Sequence, residues 1–216
     1  MYPPFLTVAY HISRSMVPLM QAALKRALEI APGDPVAAEL ASYLERHIPE
    51  EMHSDEPGDA VVDDLAALGL DRAEIRARPV TPQIAELVAW QQMWITEDHP
   101  VALVGFLELE AHQADRATIE QLIKKTGLPR KAFGQLLLHA RLDVVHAKDL
   151  HRALDALPLE PHHEQLIGLS ALQTMFLVTD AFLDVIKDAP TSERTAGRPS
   201  IRDQRRHRRV RDQGSV

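Results

Sequence analysis

The sequence predicts an all-α bundle of about seven or eight helices, several of them kinked. Three observations carry that expectation. Apolar residues recur at helical spacing through most of the chain, no segment sustains the period-two alternation of a half-buried strand, and prolines and glycines fall between the periodic segments. At 216 residues and 45% hydrophobic, the chain is long enough for one well-buried core, with no internal repeat.

In chain order, the first helix is predicted from about Leu6 to Ile30, kinked at Pro18 and stopped by Ala31-Pro32-Gly33. Asp34-Pro35 starts the second, as an N-cap with proline at the first helical position, and Pro49 disturbs its end. Ser54-Asp55-Glu56-Pro57-Gly58 breaks the chain before a short helix over Ala60–Leu68, closed by Gly69. Thr81-Pro82 starts a helix rich in bulky side chains, and Pro100 begins another that reaches about His112. Thr118 and Gln121 fit a capping box, and Gly127-Leu128-Pro129 ends that element. A long helix follows over roughly 130–157, and after Pro158 and Pro161 the last spans about His163–Lys187.

Composition narrows the chemistry. The absence of cysteine excludes disulfides, thiolate metal sites and cysteine nucleophiles. Met1-Tyr2-Pro3-Pro4 lacks the basic start of a signal peptide, and no apolar run approaches membrane-spanning length. The expectation is a soluble, cytoplasmic protein without a membrane partner. From Thr191 to Val216 eight arginines stand against Glu193, Asp203 and Asp212, a net of +5, which leaves −12 on residues 1–190 for a chain total of −7. An acidic body is a poor nucleic-acid binder, and the Arg-rich tail reads as disordered. There is no P-loop, dinucleotide-binding glycine motif or serine-hydrolase elbow.

The most informative stretch is Leu138–His146. On a helix His139, Asp143 and His146 stand at i, i+4 and i+7, on one face, in a stripe closed by Leu136 and Leu150. Arg141, Lys148 and Arg152 fall on the opposite side, so the triad is expected to face the interior. Two imidazoles and a carboxylate buried together are costly without a partner, and imidazole with carboxylate suits iron, manganese or zinc. Two further places supply ligands. Glu50 and His53 are three apart and can reach one ion, with Glu51 about 100° away and His47 in a supporting position. In the Glu108-Leu109-Glu110 run, Glu110 shares a face with Leu103, Phe106 and Leu107, which favours it over Glu108 as the inward ligand, though Glu108 also shares a face with apolar residues. Of the other histidines, His99 fits a cap position, while His162, His163, His151 and His207 read as exposed. His11 and His112 read as ordinary core or surface residues.

The order Glu50-x-x-His53, then the Gly-Phe-Leu-Glu-Leu-Glu helix, then His139-x3-Asp143-x2-His146 resembles the heme-oxygenase-like di-metal oxidases and oxygenases. These iron-containing redox enzymes are related in fold to thiaminase II and to the enzyme that completes pyrroloquinoline quinone. The resemblance covers about residues 5 to 188. It implies a heme-oxygenase-like bundle holding two irons with Glu50, His53, Glu110, His139, Asp143 and His146. The second iron site is labile in this family, and manganese is an alternative occupant. It further implies O2 activation and oxidation of a small organic substrate, in a protein for which a homodimer is open. Many relatives carry a Glu-Glu-x-Gly-His-Asp-Glu run; here the histidine comes one residue earlier, which leaves the choice between Glu50 and Glu51 open. The thiaminase-like chemistry rests on a cysteine that this chain lacks. A helical ligand- or partner-binding protein without metal is the remaining alternative. Trp90, Met93, Trp94, Phe106 and Phe176 are candidates to line a substrate pocket.

Overall fold

The structure, a computed structural model, describes residues 2–52, 58–109 and 114–188, with the side chain of Asp143 excepted. The expected disorder of the Arg-rich tail, and the ligand assignments to His53 and Glu110, lie outside the described residues. The described residues contain no strand, and their α-helices are α1 (Tyr2–Ile30), α2 (Pro35–Glu51), α3 (Asp59–Ala66), α4 (Arg72–Ala77), α5 (Pro82–Glu97), α6 (Leu103–Leu107), α7 (Arg116–Thr126), α8 (Gly134–Ala156) and α9 (Pro161–Lys187). Single 3-10 turns lead into α6 (Pro100–Ala102) and α8 (Arg130–Phe133).

Several starts follow directly from the sequence. Asp34 caps α2 by accepting the Ala37 amide at 3.0 Å, with Pro35 at the first position. Pro82 and Pro161 hold the same position in α5 and α9. Gly127 closes α7 in the left-handed conformation at φ 65°, which glycine adopts without steric cost. Pro18 and Pro49 lie inside continuous helices, not at breaks.

Other expectations are corrected. Helix α7 begins two residues before Thr118, because the Asp115 carboxylate accepts the Thr118 amide at 2.7 Å and takes over the cap. Helix α4, six residues capped by Asp71 on the Ala73 and Glu74 amides, had no sequence signal because it is shorter than two helical turns. Helix α6 ends at Leu107, five residues after the turn, where the sequence predicts a helix to about His112. Helix α9 is also more apolar than expected: its most apolar 18-residue window has mean hydropathy 1.6, enough by length and composition to cross a membrane.

Helices α1 and α2 pack as a hairpin, α5 lies against α1, and α9 packs over α5 and α6. The main core is built from Val17, Met20, Leu40, Leu44, Ile84, Leu87, Leu103 and Phe106 among others. Two smaller clusters lie beside it, one joining α1, α3 and α4 through Leu6, Val62 and Ile75, the other joining α7 to the start of α8 through Ile119 and Phe133. Gly105 marks the closest approach in the core: a Cβ there would press on the Ile167 carbonyl and the Ala171 amide, so α6 rests backbone to backbone on α9. The start of α8 is tied to α3, because the buried Asp64 carboxylate accepts the Gly134 and Gln135 amides at 2.9 and 3.0 Å. These two anchors hold α6 on α9 and the start of α8 on α3.

Candidate metal centre

The last turn of α2 carries His47, Glu50 and Glu51 at i, i+3 and i+4, a spacing that puts all three on one side. Helix α8 crosses that end and presents His146. The two rings meet edge to face at 5.0 Å between centroids, and both are buried, at 2% and 4% exposure. Tyr43, one turn before His47, stacks on its ring at 5.1 Å and 17°. The closest polar contact is His146 Nδ1 to Glu51 Oε1 at 2.9 Å, with His47 Nε2 to the same carboxylate oxygen at 4.0 Å. Glu50 Oε2 lies 3.7 Å from His47 Nδ1 and 4.0 Å from His146 Nε2. One ligand atom each from His47, Glu50 and His146 fall within 4.8 Å of one another, a grouping that can hold a single ion.

Electrostatics distinguishes the two glutamates. Burial pushes the Glu51 carboxyl up, but the His146 hydrogen bond and the charges of His146, His47 and His139 outweigh it, so it is held below the ordinary glutamate range. Glu51 is thus a buried anion surrounded by imidazoles, while the Glu50 side chain is 52% exposed. A cavity of about 270 Å3 opens onto this place, with His47 and Glu50 in its wall, Tyr43 beside them and Arg46, Asp149 and Arg152 at its edge.

The structure joins some predicted residues and re-sites others. His146 stands in the cluster, on the inward side of α8 as the spacing predicts, with Arg141, Lys148 and Arg152 exposed opposite. His139, two turns earlier, is half-buried and near enough for its charge to bear on Glu51. Asp143 lies on α8 between them, its side chain outside the described residues. Glu51, expected to face away, is turned in, and His47, expected only in support, is at the centre. The signal for both is present as the 47, 50, 51 spacing, while His53, the partner assigned to Glu50, lies outside the described residues. Glu108 pairs with His151 of α8 at 3.3 Å. Of the proposed pocket residues, Trp94 and Phe106 are buried core, whereas Phe176 is 67% exposed on α9 and does not line this cavity.

A second cluster, Asp34, His99 and His163, also brings three potential ligands together. Its chemistry is that of helix caps. His99 Nδ1 accepts the Val101 amide at 3.1 Å and His163 Nδ1 accepts the Glu160 amide at 3.2 Å. Each ring therefore carries its proton on Nε2, where an ion would need a lone pair. His99 Nε2 gives its proton to Asp34 Oδ2 at 3.2 Å. His163, expected to be exposed beside His162, is buried, because the third position of α9 turns its ring back onto the cap.

The model of a family described as "Iron-containing redox enzyme" matches residues 4–177. No curated protein matches. Among solved structures, the chain is similar to a domain of unknown function with a heme oxygenase-like fold from Shewanella denitrificans OS217. The TM-score is 0.73 at 16% identity, over 93% of this chain and 84% of that one. The likeness shows the fold: a heme oxygenase-like helical bundle.

Proposed function

We propose, from the premise that this chain belongs to the family of iron-containing redox enzymes, that it is a non-haem iron oxidoreductase, with two irons when fully loaded, that uses O2 to oxidise a small organic substrate. The observation that carries this reading is the meeting of buried imidazoles and carboxylates where α2 ends against α8. The donor set fits the metal. Imidazole nitrogen with carboxylate oxygen suits iron or manganese, and the chain offers no thiolate to select a softer ion. Buried ionised groups are stable only when paired, and a cation among Glu51, His47 and His146 would meet that need.

His47, His146, Glu51 and Glu50 would hold the first ion. His139, Asp143, His53 and Glu110 are the groups that the family resemblance supplies for the remaining positions. Bound iron supplies redox chemistry and O2 binding that no side chain of this protein offers. The protein contributes placement. Tyr43 stacks on the His47 ring, and the Glu51 carboxylate lies 2.9 Å from the Nδ1 edge of His146, which leaves Nε2 for an ion. The adjoining cavity, about 270 Å3, suits a small molecule, and Glu39, Arg46, Glu50 and the Arg152–Asp149 pair give it a polar wall with both signs of charge.

The test is anaerobic Fe(II) titration of the chelator-free protein, followed by exposure to O2. Stoichiometric iron and an O2-dependent absorption change are expected. His146→Ala and Glu51→Ala should weaken iron binding by at least roughly 10–100-fold with the far-UV helical signal retained. Glu108→Ala should bind iron like the parent. A parent protein that takes up no iron sinks the proposal and leaves a non-catalytic helical binding protein.

A further inference from the structure

Helix α9 has two apolar sides. One is spent on the core: Ser170, Thr174 and Ala181 are buried, and Leu166, Ile167, Leu177, Val178, Phe182 and Val185 pack against the main cluster. The other side is open. Leu169, Leu172, Phe176, Leu183 and Ile186 are exposed at 50%, 51%, 67%, 44% and 50%, with Thr179 exposed among them. Read together, positions 169, 172, 176, 179, 183 and 186 step by 3, 4, 3, 4 and 3, which is the spacing of a coiled-coil seam. A single exposed leucine is ordinary; a continuous stripe about 26 Å long, at 1.5 Å per residue, is not.

We propose that this stripe is a homodimer interface, in which α9 of a second copy packs antiparallel across it about a two-fold axis between Leu177 and Val178. Self-complementarity singles out that partner. The antiparallel register sets Leu169 against Ile186 of the partner subunit, Leu172 against Leu183 of the partner subunit, and Phe176 against Thr179 of the partner subunit. Each layer therefore pairs the two halves of one sequence, and the largest side chain meets the smallest. A parallel pairing would put Phe176 against itself and Thr179 against itself. Between Gln165 and Ile186 the only ionisable groups are Asp180 and Asp184, and both accept from Gln83 at the flank, at 3.2 and 2.7 Å. In this register Lys187, which pairs with Asp184 of its own helix at 2.9 Å, faces Gly168 of the partner subunit. The stripe with Met175 exposes apolar surface on the order of 600 Å2, near the roughly 800 Å2 per partner of a standard interface.

A lipid surface fits less well. Interfacial helices flank their apolar face with lysine and arginine, whereas α9 carries Glu164, Asp180 and Asp184 against Lys187, with Asp188 after it. The inference rests on α9 alone and not on the bound iron.

Light scattering of the full chain at tens of micromolar should give twice the 24.1 kDa of one chain. Leu172→Glu and Leu183→Glu should each give a monomer with the parent's helical signal, because neither side chain belongs to the core of one chain. The cysteine-free chain accepts a single spin label at Lys187→Cys, whose separation should be about 30 Å in the antiparallel pair and nearer 10 Å in a parallel one. A parent that is monomeric, a dimer that survives both substitutions, or a short label distance would overturn the proposal. So would a monomer that binds anionic vesicles through the same leucines.

Discussion

Single residues decide where the parts of this protein meet, and Asp64 is the clearest case. Helix α8 has no side-chain cap of its own; the Asp64 carboxylate of α3 takes its first two amides instead. Burial pushes the Asp64 carboxyl up to about 6, helped by Asp63, while the two amides pull it down. Asp64→Ala strands two amides in the interior and should cost about 2 kcal/mol, read as a lower urea midpoint. At this scale the sequence was informative about chemistry and less so about direction. His146 faces inward because the apolar stripe around it fixes one side of α8. Glu51 stands about 100° round the helix from Glu50 and His47 one turn before it, and nothing in their own neighbourhood shows that α8 crosses there. Long-range contacts of that kind leave no local period to read.

At the scale of elements, the boundaries written as cap plus proline were legible, as at Asp34-Pro35, Thr81-Pro82 and Pro161. Those set by competition between acceptors were not: Thr118 and Asp115 both suit the start of α7, and the charged acceptor prevails. The caps also make a prediction. The His99 ring accepts the Val101 amide through Nδ1, and burial, then its neighbour His163 against the opposing pull of Asp34, holds its pKa below the ordinary value of 6.5. His163 is lowered likewise, by burial and then His162. A histidine depressed in the folded state contributes stability that is complete above 6.5 and is lost as pH falls towards its folded value. Thermal melts should therefore drop between pH 7.5 and 5.5. His99→Asn keeps an acceptor for the Val101 amide and removes the titration, so its melting temperature should fall less over the same interval.

For the molecule as a whole, the helical class was plain from periodicity, and the bundle's core is assembled without the candidate metal ligands. None of His47, Glu51 and His146 belongs to a hydrophobic cluster. The apoprotein should therefore fold. Binding iron at 100 times its dissociation constant adds about 2.7 kcal/mol, which corresponds to a rise of roughly 5–10 °C in melting temperature for a chain of this size. Chelation should reverse that rise and leave the far-UV signal unchanged; a chelated protein without helix would mean that the metal is a structural requirement.

The meeting of Asp34, His99 and His163 has a consequence in the field of the helices themselves. Helix α2, the turn leading into α6, and α9 all begin at that corner. Each helix start bears a partial positive charge, about half an elementary unit for a full helix, so like poles are gathered within reach of one another and repel. Asp34, with Glu160 at the start of α9, supplies the counter-charge: one Asp34 oxygen takes the α2 amide and the other takes the ring that caps the α6 turn. Asparagine in its place would keep one acceptor, for the α2 amide, but would lose the acceptor for the His99 ring and the charge together. The three helix starts would then push apart the corner at which the bundle is pinned.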